Sequence, residues 1–393
     1  MVEKYSCTGC GACASICPFG AITMQPDIGG FLYPTIDNEK CRECGLCHKT
    51  CDSANNMSYN KPRRIIGLKH NSEEIRARST SGGAFFLIAS EIINRGGTVF
   101  GAAFDKAWRV HHVRCTSLDD LRILQKSKYV QSDLEESYIM VNDDLKQGKT
   151  VLFTGTACQN SGLLAYLQAK HTNTDLLYTC DLICHGTPSP AIWKDYISDK
   201  SKKGTIEAVD FRNKDKSWRD FRMAITVGGK TKTYRQNEDN YLVLFFHNYI
   251  LRESCYSCKY TSLNRVSDFT MCDFWGIEDF NKGFSDDKGI SGLMINSEKG
   301  QTFIEPLLCN ASYIDANKEA ISKAQPNLSR PTKRNPQYTK FWEDYSKNGY
   351  KYVTKHYADD TLFGILKRRY LFKILHYTGI FDLLLKVKNR NNH

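Results

Sequence analysis

Eight cysteines near the start of the chain fall into two identical combs, Cys7, Cys10, Cys13 and Cys17, then Cys41, Cys44, Cys47 and Cys51, each spaced C-x-x-C-x-x-C-x-x-x-C. Three cysteines at every third position, on a loop that Gly9, Gly11 and Gly45 allow to curl, can turn their thiolates toward one iron-sulfur cubane. The fourth, set back by one more residue, points away from it. The chemistry such a centre performs is one-electron transfer. A zinc site needs only four ligands, and a disulfide framework suits a short secreted chain, so neither accounts for two combs of four.

The combs, with Pro18 behind the first and Asp52 behind the second, resemble those of bacterial two-cluster ferredoxins. Short apolar runs at 21–24 and 31–36 flank an Ile28-Gly29-Gly30 turn, as in the ferredoxin hairpin. The resemblance implies crossed ligation: Cys7, Cys10 and Cys13 with Cys51 at one 4Fe-4S centre, and Cys41, Cys44 and Cys47 with Cys17 at the other. Residues 1–56 are therefore expected to form a ferredoxin-type module built round two clusters.

At 393 residues the chain is much longer than that module, so a larger core must lie downstream. The formal charge of +11 treats every cysteine as neutral. Three oxidised 4Fe-4S centres would each contribute about two negative charges, leaving roughly +5, so nucleic acid is not an expected partner. Sixteen cysteines point to metal or redox chemistry. Met1 leads straight into the first comb, without room for a signal peptide, and no run of eighteen apolar residues marks a membrane span. A cytoplasmic protein is expected.

Downstream, strands at 65–70, 96–104, 110–115, 150–154, 176–183, 206–211 and 223–227 alternate with helical stretches at 85–93, 118–125, 133–146, 162–168 and 242–251. Strand, tight glycine loop and helix recur, which predicts an α/β domain with functional loops at strand ends, α+β overall once the ferredoxin module is included. The turn Ser81-Gly82-Gly83 opens one helix; such a turn is either an anion-binding helix start or an ordinary cap.

Eight further cysteines follow the combs. Cys158 sits after a strand, Cys184 at the end of the next, and Cys255 and Cys258 form a C-x-x-C pair beyond a helix. Those four stand where a further metal centre would want them. Cys115, Cys180, Cys272 and Cys309 lie in apolar or irregular stretches and read as small buried hydrophobes.

The ordered set Ser81-Gly82-Gly83, Ser127-Lys128-Tyr129, Gly155-Thr156-Ala157-Cys158-Gln159, Cys184-His185-Gly186-Thr187-Pro188-Ser189, the Cys255/Cys258 pair and the run from Ser267 to Gly276 resembles the coenzyme F420 hydrogenase/dehydrogenase beta-subunit family over about residues 64–345. The resemblance implies a flavoprotein with FAD beside a third 4Fe-4S cluster. It carries the cluster ligands onto Cys158, Cys184, Cys255 and Cys258, and the FAD contacts onto Ser81, Gly82, Gly83, Lys128, Tyr129 and Gln159. Cys272 stands where many members have glycine, a spare thiol expected near the metal. Many bacterial members are encoded beside cell-surface polysaccharide genes, so a small or sugar-derived substrate is implied, with a ferredoxin-like protein or partner enzyme as electron donor.

Flavin can join one-electron centres to two-electron chemistry, so the expected function is an iron-sulfur flavoprotein oxidoreductase reducing a small organic substrate. The alternatives are an electron-transfer subunit docking on another enzyme without its own substrate, and an F420 reductase/dehydrogenase. His185 is the acid/base candidate, or else a residue bonding cluster sulfur or backbone; Lys259 and Asp268 are weaker candidates. Arg212, Lys214, Arg219 and Arg222 form a basic run that is either an anion-binding face or simply solvated. Residues 346–393 read as a helical basic extension, in which 362–387 alternates apolar and basic residues, so it either packs on a core or lies on an anionic inner-membrane face.

Overall fold

The computed structural model describes residues 2–359. Strands β1 (Ile22–Pro26) and β2 (Leu32–Ile36) pair antiparallel as the hairpin between the two combs. The main sheet is built from β3 (Arg64–His70), β4 (Thr98–Phe104), β5 (Val110–Cys115), β6 (Val151–Thr156) and β7 (Leu177–Leu182). Past the small antiparallel sheet of β8 (Ile206–Asn213), β9 (Arg222–Val227) and β10 (Lys230–Tyr234), the main sheet resumes with β11 (Phe269–Asp273), β12 (Ser291–Ile295) and β13 (Ala311–Ala316).

Its order is β13-β3-β12-β11-β7-β6-β4-β5. The central four strands β11, β7, β6 and β4 run parallel, and antiparallel strands close both sides. Parallel neighbours bring the C-terminal ends of β6 and β7 to one edge, where Cys158 and Cys184 follow them. This is the α/β architecture the alternation predicts, with crevices outside the strand ends.

The helix Ala84–Asn94 lays Leu87, Ile88 and Ile92 against Val99, Leu152 and Leu293. A second core, around Trp193, Tyr196, Phe211 and Tyr241, joins the small sheet to the helices Pro190–Ser201 and Asn240–Phe246. The ferredoxin part is not a bead on a string. Ala12 and Ile16, from the helix that begins just after Gly11, are buried in one cluster with Phe100, Phe153 and Leu163 of the body. Body side chains also grip its backbone: Ser189 Oγ donates to Gly29 O at 2.6 Å, Ser161 Oγ to Ala54 O at 2.6 Å, and Gln131 Nε2 to Thr8 O at 3.1 Å.

Several expected elements change extent. The helix expected from Gly162 begins at Ala157, because Thr156 and Gln159 form a reciprocal capping box that starts it five residues earlier. The stretch 118–125 holds only Leu121–Leu124 as helix, and 242–251 ends as helix at Phe246, with Asn248 turned to a positive φ of 60°. The amphipathic segment 362–387 lies outside the described residues. Among those described, no helix is long and apolar enough to cross a membrane.

His112 on β5 is 4% exposed. Its Nε2 lies 2.9 Å from Thr154 O, which can only accept, so Nε2 donates and Nδ1 receives the Ser132 hydroxyl at 2.7 Å. Burial depresses the imidazole from 6.5 to about 4. The folded state keeps it neutral while the unfolded chain takes up a proton as pH falls below 6.5. Stability is therefore expected to fall by about 3 kcal/mol between pH 6.5 and pH 4 on this account. Anaerobic denaturation curves against pH should be flatter over that window for His112→Gln.

Candidate iron-sulfur centres

The glycines before the third cysteine of each comb, Gly11 and Gly45, take left-handed φ values of 70° and 74° as N-caps of the helices Ala12–Ile16 and Leu46–Asn55. Each comb thus passes from open loop into helix, so its last cysteine is carried away from the first three. The helices exchange these last cysteines. Cys51, not Cys17, lines a cavity with Cys7, Cys10 and Cys13. Cys17 acts electrostatically on Cys47 instead. All sixteen cysteines are free thiols.

A second cavity is lined by Cys158, Cys184, Cys255 and Cys258, with His185 and Arg265 in its wall. Cys158 comes from the first turn of the helix capped by Thr156, Cys184 from the loop after β7, and Cys255 and Cys258 from and just after the 3-10 turn Glu253–Ser257. The donor sets fit cubanes: four thiols around each cavity, with polar hydrogens turned to sulfur. Thr187 N lies 3.3 Å from Cys255 Sγ, Val2 N lies 3.5 Å from Cys51 Sγ, and Ala21 N lies 3.4 Å from Cys17 Sγ. Such N–H contacts orient a thiolate and tune the iron it holds. Among the described residues no three His, Cys, Asp or Glu side chains converge on a single-ion site.

Burial pushes the Cys10 and Cys158 thiols up to about 12 and Cys258 to about 11, with neighbouring thiols adding to the rise. Crowded buried thiols of this kind ionise readily only on metal. Cys44 is exposed, whereas the thiols around both cavities are half-buried or buried. The two cavities touch: Cys158 and Tyr260 line both. Tyr260 donates from its hydroxyl to Ala54 O at 3.0 Å, and Lys259 reaches Asn55 Oδ1 at 2.9 Å, so the wall between the cavities also fastens the module. Arg265 is paired with Asp181 at 2.9 Å, both buried, beneath the second cavity.

The family model for the C terminus of the beta subunit of coenzyme F420 hydrogenase/dehydrogenase matches residues 148–320, and that for the 4Fe-4S dicluster domain matches residues 6–55. Residues 148–320 thus match the C-terminal domain of the coenzyme F420 hydrogenase/dehydrogenase beta subunit, behind a 4Fe-4S dicluster domain. The F subunit of the F420H2 dehydrogenase from Methanosarcina mazei is 22% identical over 196 residues, 47% of this chain and 54% of that protein. The B subunit of the Na+-translocating ferredoxin:NAD+ oxidoreductase complex of Acetobacterium woodii is 34% identical over 71 residues, 18% of this chain and 20% of that protein. The chain thus spans about half, or less, of these relatives' length. A chain of the F420-reducing NiFe hydrogenase complex from Methanosarcina barkeri superposes with a TM-score of 0.50 at 15% identity, over 75% of this chain and 96% of that one, a likeness of fold.

Of the residues expected to hold FAD, Ser81, Gly82 and Gly83 lie in the turn before the helix Ala84–Asn94, Lys128 and Tyr129 in the loop after Leu121–Leu124, and Gln159 in the first turn of the helix that follows β6. Thr80 and Ser127 touch at 3.4 Å, joining the Ser-Gly-Gly and Ser-Lys-Tyr loops. Much of their polarity is taken internally: Ser81 Oγ donates to Ile290 O, Lys128 Nζ to Ile123 O and Gln125 O, and Gln159 Oε1 accepts from Thr156 N. Burial brings Lys128 down to about 7. Tyr129 receives Arg212 Nη1 at 3.1 Å, and Arg212, buried and paired with Asp273 at 2.8 Å, leaves Nε and Nη2 without a partner. Those donors, with Arg78 Nε just before the Ser-Gly-Gly turn, are buried polar atoms beside these loops that lack a partner.

The remaining basic run is absorbed by the fold. Lys214 Nζ donates to Arg76 O, Ser81 O and Lys288 O, Arg219 pairs with Glu278 and Asp287, and Arg222 with Asp220. His185 Nε2 sits 2.7 Å from Asn248 Oδ1 with its ring against Phe245, and burial lowers its pKa. Asp268 accepts from Thr179 and Ser297, a structural role. Cys272 lines neither cavity and packs against Gly292 and Ile321, so the spare thiol expected beside the metal is instead part of the core. Arg252, which the sequence did not flag, donates from Nε to Cys7 O at 2.7 Å and from Nη2 toward Cys7 Sγ at 3.6 Å.

Proposed function

We propose that the chain is an electron-transfer oxidoreductase subunit with three 4Fe-4S sites in series, ending at FAD and a small organic acceptor. The single observation that carries this reading is the wall shared by the two cavities, Cys158 and Tyr260. Bound clusters supply one-electron transfer, and bound FAD supplies the exchange with two-electron chemistry. Cys41, Cys44, Cys47 and Cys17 would hold the outermost site, with exposed Cys44 giving a redox partner access. Cys7, Cys10, Cys13 and Cys51 would hold the middle site, and Cys158, Cys184, Cys255 and Cys258 the innermost. The module's fastening through Ser161, Ser189 and Tyr260 keeps the sites in fixed relation.

For FAD, the joined Thr80 and Ser127 loops, Tyr129 and the orphaned Arg212 donors support a polar ligand over the strand ends, with Ser81, Gly82, Gly83, Lys128 and Gln159 shaping the surround. The likeness to the F subunit of an F420H2 dehydrogenase favours a second reading in which F420 is the acceptor or donor. Anaerobic protein should release flavin on denaturation and, when reduced with dithionite, pass electrons either to F420 or to small carbonyl and sugar-derived acceptors. Turnover with none of these alone, restored by a partner enzyme, would identify a subunit without its own substrate. Iron without flavin would overturn the flavoprotein reading.

A further inference from the structure

Arg252 is fully buried. Its guanidinium lies over the Tyr33 ring at 4.1 Å, and its acceptors are Cys7 O, Leu32 O at 3.0 Å, Gln131 Oε1 at 3.1 Å and Cys7 Sγ. Three of the four are neutral oxygens; the fourth is the sulfur of a proposed cluster ligand. A guanidinium taken wholly out of water costs several kcal/mol, by order of magnitude, unless an anion compensates it, and here Cys7 stands in that place.

The comb itself makes room. A Cβ on Gly9 would lie 2.7 Å from Arg252 Nη1, and Gly9 has a left-handed φ of 69°. The same arginine is tied to the next site through its backbone. Arg252 N donates to Thr187 O, Cys255 N donates to Arg252 O at 2.9 Å, and Thr187 N points to Cys255 Sγ. One residue therefore spans from a ligand of the middle site to the turn that carries a ligand of the innermost one.

We propose that Arg252 is a positioning residue that raises the reduction potential of the centre held by Cys7, Cys10, Cys13 and Cys51 and fixes its register to the Cys255 turn. One electron entering that centre adds one negative charge, and a buried positive charge hydrogen-bonded to a ligand sulfur stabilises the reduced form over the oxidised. Arg252 also acts electrostatically on Cys158 and Cys255, so a smaller shift of the same sign is expected at the innermost centre. This inference rests on the assignment of a cluster to the four cysteines.

The test is an EPR-monitored redox titration of the anaerobic full-length protein, with iron counted on each sample. Arg252→Gln should lower the midpoint of the middle centre most and that of the innermost centre less, at unchanged iron content, and Arg252→Lys, which keeps the charge without the fork, should recover part of the shift. Gln131→Glu keeps the arginine but sets a carboxylate at Nη1, and should lower the same midpoint. Unmoved midpoints in all three variants would overturn the proposal. So would iron loss in Arg252→Gln and Arg252→Lys together with an unmoved midpoint in Gln131→Glu, which would mark Arg252 as a packing residue. Failure of the cluster assignment shows separately, as wild-type protein lacking one centre's iron and signal.

Discussion

Cys184→Ser is expected to remove one centre of three, lowering iron from about twelve to about eight per chain and abolishing the reduced-state EPR signal of the innermost site. Cys184 reaches the cavity from the loop after β7 and feels Cys255, Cys158 and Cys258 at close range, so its loss leaves that site one thiolate short. The two combs do not draw on that loop for ligation and should keep their iron. Cys272→Ala is the control: its thiol packs on Gly292 and Ile321, outside both cavities, and iron should not change. Loss of all iron in Cys184→Ser, or equal loss in Cys272→Ala, would break the assignment.

Gly82→Ala is expected to prevent folding or to destabilise by about 3 kcal/mol or more. A Cβ there would stand 2.0 Å from Leu68 O and 2.5 Å from Ser291 N, both backbone atoms of paired strands β3 and β12, which cannot move aside separately. Gly82 N and Ala84 N already donate to Ser291 Oγ, so the helix start is capped from within the sheet. The glycine of this motif is thus needed for strand packing, whether or not a ligand lies above it. Soluble expression and a urea melt of the anaerobic variant decide the matter; a wild-type midpoint would show that the sheet can yield.

The combs are readable because ligand spacing is local: every third residue on a curling loop can be judged without knowing the fold. The crossed partners, by contrast, come from likeness to ferredoxins, and the exchange of Cys17 and Cys51 depends on how two short helices pack. Cys158 and Cys184 can be picked out because parallel strands deliver their following loops to one edge. The insertion of β3 between β12 and β13, strands far away in sequence, has no local signature, and neither of those two strands is among the expected ones. The hairpin strand β10 escapes because nearly all its residues are exposed and polar, so apolar alternation is missing. Arg252 is invisible for a related reason: an arginine followed by Glu253 reads as surface charge, and only the docked module buries it.

Iron and acid-labile sulfide counted on anaerobically purified, full-length protein test the central claim most directly. Three sites in series predict about twelve of each per chain. About eight, with the Cys158, Cys184, Cys255 and Cys258 thiols all open to alkylation in the native state, would contradict it.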